Sequence, residues 1–185
     1  ETIDGRRALV GSNVLRNDAL SALAVAVAAD LDFIRVNVHI GAAVTDQGVI
    51  EGRAAETIRA RQALGAQAVA LRADVAVKHA RPLGAGASDI GEAAEETAYR
   101  GLADGLIVTG SSTGRAASLE ELRAVRAAVP DRPLLVGSGV TMASVAATLA
   151  IADGAIVGTS LKVGGATTAP VDVARVRALV EAVRG

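Results

Sequence analysis

Residues 33–40 alternate: Ile34, Val36, Val38 and Ile40 fall on one side of an extended chain, and Arg35, Asn37 and His39 fall on the other. A strand buried between two helix layers reads as a continuous apolar run, so three hydrogen-bonding side chains on one face argue against that environment. A barrel satisfies both faces. The apolar side packs under a ring of helices and the polar side points inward, toward the ligand end at the strands' C-termini.

The rest of the chain repeats the arrangement. Strand-like runs ending in small or polar residues lie at 8–13, 33–39, 68–77, 105–109, 134–139 and 155–159. Helical patterns separate them. Asn17 or Asp18 caps a helix to about residue 29, and a second helix over 53–64 stops at Gly65. Ser88 caps a third, ended by Gly101, while Ser118 with Glu121 forms a capping box for 119–129 ahead of Pro130. Thr141 caps 142–150, and Asp172 caps the last helix to Arg184. Strict alternation of strand and helix implies a parallel sheet with right-handed crossovers.

The expected fold is therefore α/β, a TIM (β/α)8-type barrel of which six units are visible, forming one domain over residues 1–185. The alternative is an open, doubly wound parallel sheet. A closed barrel of this type has eight strands. Two further βα units are expected ahead of Glu1, or else a dimer that closes the gap, so a homo-oligomer is admitted.

Composition narrows the function. A net charge of −1 and 1% aromatic residues leave neither a basic footprint nor stacking platforms for nucleic acid. With no cysteine there is no disulfide framework and no thiolate chemistry, and the cytoplasm is the expected compartment. The apolar run at 19–29 is broken by Ser21 and is shorter than the roughly 20 residues of a bilayer span, so it reads as a buried helix.

Two glycine-rich turns lie late in the chain, Gly137, Ser138, Gly139 with Val140 and Thr141, then Gly158, Thr159, Ser160. In barrels, the loops after the last two strands with a helix N-terminus commonly form a phosphate cup, because glycine lets backbone N–H groups approach oxygens. These six residues are the phosphate-binding candidates. The catalytic candidates are His39, Asp74 and Lys78, a proton-transfer group, a base or orienting carboxylate, and a Schiff-base or phosphate lysine, each at a strand's C-terminal end. Candidate substrate-binding residues are Asn13, Arg16, Arg35, Asn37, Asp46, His79 and Ser111. Asp46 belongs to a deformable loop between Gly41 and Gly48, a lid candidate, and Ser111 to the polar loop at 109–114. No cofactor is expected. A divalent metal on His39, Asp74 and His79 lacks HxxxH or HExxH spacing.

The stretches 13–19, 33–52, 74–79 and 101–104, together with Gly137-Ser138-Gly139-Val140-Thr141 and Gly158-Thr159-Ser160-Leu161-Lys162, resemble the BtpA/SgcQ family over nearly the whole chain. The resemblance implies a TIM barrel related to the phosphate-binding barrels, matched from about its third strand. One branch of the family is implicated in photosystem I biogenesis as a peripheral thylakoid protein, and another is associated with sugar-uptake gene clusters. Three functions follow as expectations. The first is an isomerase, epimerase or aldolase acting on a sugar phosphate; the second is a non-catalytic biogenesis factor touching a membrane complex peripherally; the third is a metabolite-sensing module.

Overall fold

The computed structural model describes residues 2–3, 6–45, 48–76, 81–82, 89–110 and 117–184. Its elements run β1 (Thr2–Ile3), β2 (Arg6–Arg7), β3 (Gly11–Ser12), α1 (Ala19–Ala28), β4 (Phe33–Val36), β5 (Ala42–Thr45), β6 (Gly48–Glu51) and α2 (Ala54–Ala63). They continue with β7 (Ala70–Ala76), β8 (Arg81–Pro82), α3 (Ile90–Glu95), β9 (Gly105–Val108), α4 (Leu119–Ala128), β10 (Leu134–Val136), α5 (Val145–Leu149), β11 (Gly154–Ala155) and α6 (Val173–Arg184). A π-helical segment, Glu96–Arg100, extends α3.

Six parallel strands form a curled half-barrel in the order β3-β4-β7-β9-β10-β11. Each is hydrogen-bonded to the next strand of the sheet in chain order, which rules out the doubly wound alternative, since that fold reverses its strand order at a switch point. Register aligns Ile34 with Leu71, Ala73 with Leu106 and Leu106 with Leu134. These residues are buried under the helices with Val36, Val108 and Val136. The same register places Arg35, Arg72 and Gly105 side by side on the opposite, concave face. A Cβ on Gly105 would lie 2.0 Å from Arg72 Nη1, so a side chain there would displace the Arg72 guanidinium from its seat on the sheet. Helix α1 contributes Ala19, Ala22, Leu23 and Ala26 to the core, the spacing of a single helix face.

The local signals for the helices are realised at four ends. Asp18 accepts from Ser21 N and Oγ, Gly65 takes φ +65°, Ser118 and Glu121 cap reciprocally, and Asp172 accepts from Ala174 N. Three expectations are corrected. Residues 42–45 and Gly48 are strand rather than loop, because β5 and β6 pair antiparallel and β8 adds a third strand. Gly48 opens β6 at φ +98°, a backbone conformation that glycine adopts without strain. Strand β4 ends at Val36, before the expected residue 39. Asn17, itself at φ +67°, accepts from Val38 N at 2.7 Å and donates to Val38 O at 2.8 Å, taking the groups a neighbouring strand would use. Helix α5 starts at Val145, because Ser144 Oγ accepts from Thr141 N and a turn precedes it. Ser88 lies outside the described residues, and Asp89 caps α3.

Candidate functional site

On the concave face the structure gathers Arg35, Asn37 and Asp74. Arg35 Nε donates to Asp74 Oδ1 at 2.9 Å and Nη2 donates to Oδ2 at 2.8 Å, a two-point fork. Asn37 Nδ2 donates to the same Oδ2 at 3.0 Å. The Asp74 side chain is 1% exposed and that of Arg35 19%. Burial pushes the Asp74 carboxyl above its ordinary value, against the opposing pull of Arg35 and Asn37. Asn37 Oδ1 is buried with no hydrogen-bond partner among the described residues.

The curl of the sheet brings β10 toward this cluster. Arg35 Nη2 lies 3.5 Å from where a Cβ on Gly137 would sit, although the two residues belong to strands three positions apart, about 14 Å on a flat sheet. A Cβ at Gly137 would also lie 2.2 Å from Thr109 Cγ2 and 2.9 Å from Ile107 Cγ2, so packing alone demands glycine here. Gly139 needs glycine for its φ of +75°. Gly158 differs: its φ is −130° and a Cβ would meet nothing within 4 Å, so neither packing nor φ requires glycine. The two glycine turns are joined, because Ser160 Oγ donates to Val140 O at 2.9 Å. Arg175 donates to Ser160 O at 3.1 Å. Ser138 Oγ is buried without a partner among the described residues, and Thr159 opens a 3-10 turn, Thr159–Leu161, at the exposed side of the second loop. The five-residue α5 provides no extended helix dipole behind the first turn.

The remaining candidates are dispersed. His39 is 1% exposed, and its polar contact is with Gly101, at the end of the π-helical segment, rather than with the Arg35–Asp74 cluster. Its Nε2 lies 2.7 Å from the Gly101 carbonyl and so donates, leaving Nδ1 without a partner among the described residues. Asn13 is exposed just past β3. Arg16 lines a separate cavity of about 250 Å³ between the starts of α1 and α2, with Arg53, Glu56 and Val38. Asp46, Lys78, His79 and Ser111 lie outside the described residues. Among the described residues no three His, Asp or Glu side chains come together as a metal site, and no helix is long and apolar enough to cross a membrane.

Burial lowers the pKa of His39 from 6.5, with the Gly101 bond opposing. A depressed histidine contributes stability that is present above pH 6.5 and lost as pH falls through its folded value. The Tm difference between wild type and His39→Gln is therefore expected to shrink as pH falls from about 7 to 5. Thermal melts across that range check it, and a constant difference would show that His39 does not titrate with folding.

Sequence reasoning missed one recurring device. Asp32, Asp104 and Asp153 immediately precede β4, β9 and β11. Each accepts from a backbone N–H on or beside the preceding strand of the sheet, Val10, Leu71 and Leu134, at 2.8, 2.8 and 2.7 Å. Each also donates its own N–H to the carbonyl of that same residue at 2.8, 2.9 and 2.8 Å. Arg7, Arg61 and Arg126 pair with the three carboxylates in turn. The repeat of Ala-Asp-Gly at 103–105 and 152–154 was the available signal.

The sequence profile of the BtpA family matches residues 6–185. The chain belongs to the BtpA family. It is 46% identical to the photosystem I biogenesis protein BtpA of Synechocystis sp., covering 94% of this chain and 59% of that protein. It is 44% identical to an uncharacterized protein of Pyrococcus furiosus, covering 92% and 63%. This BtpA-family chain thus spans about three fifths of the length of these curated relatives. Among solved structures it is similar to phosphoribosyl anthranilate isomerase from Thermococcus kodakaraensis, with a TM-score of 0.58 at 12% identity over 97% of this chain and 76% of that one. It is also similar to KDPGal aldolase, with a TM-score of 0.57 at 19% identity over 96% and 69%. At those identities the likeness establishes the TIM-barrel type of the BtpA fold and nothing further.

Proposed function

We propose that this BtpA-family barrel binds a phosphorylated small molecule, with the phosphate in the two joined glycine turns and the remainder over Arg35, Asn37 and Asp74. The reaction assigned is of the isomerase, epimerase or aldolase type on a sugar phosphate. Asp74 and Lys78 are the groups assigned to proton transfer. One observation carries the reading: the Ser160–Val140 bond holds together the turns after the last two sheet strands, beside a glycine that neither packing nor φ requires.

A thermal-shift screen with inorganic phosphate and a panel of sugar phosphates tests it. A ligand at 100 times its Kd adds about 2.7 kcal/mol, which at about 2–4 °C per kcal/mol is readily seen in a chain of this size. Gly158→Asp has room for its side chain and should abolish the shift by repelling the anion. No shift with any phosphate would sink the reading.

A non-catalytic assembly role is the second reading. It is favoured by the name of the Synechocystis relative and by Leu20, Val25 and Val27, exposed on α1. It expects no phosphate-dependent shift and retention of α1-dependent association.

A further inference from the structure

The three polar residues on the concave face do more than neutralise one another, and the way their hydrogen-bonding capacity is spent defines what is left for a ligand. Asp74 accepts three bonds, from Arg35 Nε, Arg35 Nη2 and Asn37 Nδ2. A carboxylate of this kind only accepts, so Asn37 must turn its amide nitrogen to Asp74 and its carbonyl oxygen away. That oxygen, Oδ1, is buried and unpartnered among the described residues. It requires an O–H or N–H donor, and an amide flip cannot relieve it without setting oxygen against oxygen at Asp74. Arg35 has five N–H groups and spends two on Asp74. The Nε and Nη2 edge is occupied, while no other described residue takes the Nη1 and Nη2 edge, on a guanidinium that is 19% exposed. That free edge is a planar fork matching a second carboxylate. Arg35 Nη2 and Asn37 Nδ2 share Asp74 Oδ2, so the fork and the bare acceptor are neighbours.

We propose that the ligand of this site is a phosphorylated hydroxy acid, its carboxylate on the free edge of Arg35 and a nearby hydroxyl donating to Asn37 Oδ1. The phosphate end rests on the function proposed above; the carboxylate and hydroxyl ends stand on the Arg35–Asn37–Asp74 geometry alone. Asp74, besides the proton-transfer role assigned above, fixes both the guanidinium plane and the amide.

The experiment is calorimetric titration of the protein with inorganic phosphate, 3-phosphoglycerate, glycerol 3-phosphate, which lacks the carboxylate, and 3-phosphooxypropionate, which lacks the hydroxyl. Glycolate and acetate are followed by chemical-shift titration. The expected result is that 3-phosphoglycerate binds on the order of tenfold or more tighter than either truncated analogue, since sites built to pair a polar group reject ligands without it. In Asn37→Ala the preference over 3-phosphooxypropionate should vanish, while the preference over glycerol 3-phosphate persists. Equal affinities for the three phosphate esters would overturn this proposal and leave the phosphate reading standing. If no phosphate compound binds, the phosphate reading falls, and glycolate against acetate decides the rest: preference for glycolate upholds the carboxylate and hydroxyl subsites, and equal or absent binding overturns them.

Discussion

Replacing Asp74 with Ala is expected to destabilise the protein by about 3–5 kcal/mol, the range for removing one partner of a buried ion pair. The loss is not that of a surface contact. The Asp74 side chain is 1% exposed and takes three donors, so the substitution leaves Arg35 and the Asn37 amide without the acceptor around which they are arranged. Arg35 is 19% exposed, and the water reaching it keeps the effect toward the lower end of the range. At about 2–4 °C per kcal/mol the melting temperature should fall by roughly 6–20 °C. The double variant Arg35→Met, Asp74→Ala separates the causes. Uncompensated charge predicts that the second substitution recovers much of what the first removed, since apolar replacement of a buried pair is often neutral. A single-variant loss under about 1 kcal/mol would mean that the pair is solvated and that the concave face is open water at this depth.

That cluster was legible in the sequence because strand alternation is a strong local rule. Arg35 and Asn37 share a face by spacing alone, and Asp74 joins them once β7 pairs in register. The helix ends were legible for the same reason: Asp18, Gly65, Ser118 with Glu121, and Asp172 act on groups a few residues away. What failed depends on distant partners. His39 was assigned to the polar face, yet Asn17, 21 residues from Val38, takes both backbone groups of Val38, and the chain turns so that His39 meets Gly101, 62 residues on. Thr141 looked like a helix cap until Ser144 claimed its amide. The glycines at 137 and 158 read alike in sequence, and only the fold separates one wedged against Thr109 from one facing open space.

The aspartate clamps carry the second large effect. Each closes a pair of adjacent strands at their N-terminal ends with two opposed bonds, amide to carboxylate and amide to carbonyl, between residues 22, 33 and 19 apart in the chain. Asp104→Ala leaves the Leu71 amide without its acceptor and removes the carboxylate from Arg61, which keeps its bonds to the Ala66 and Gln67 carbonyls. A part-buried donor stripped of a charged acceptor costs about 1–3 kcal/mol. At Asp153 the carboxylate is 55% exposed, so Asp153→Ala should cost less, about 1 kcal/mol, most of it from the Leu134 amide that holds this carboxyl below its ordinary value. The two sites begin strands two positions apart, β9 and β11, and share no partner, so the double variant should lose the sum, about 2–4 kcal/mol. Denaturant melts give the three values. Because Asp153 is depressed from 3.8, its contribution is present above pH 3.8 and lost as pH falls through the folded value. The cost of Asp153→Ala should therefore vanish at low pH. A cost that persists there would assign the effect to packing at the strand end rather than to the charged clamp. A double variant losing much more than the sum would show that the clamps act as one unit across the sheet.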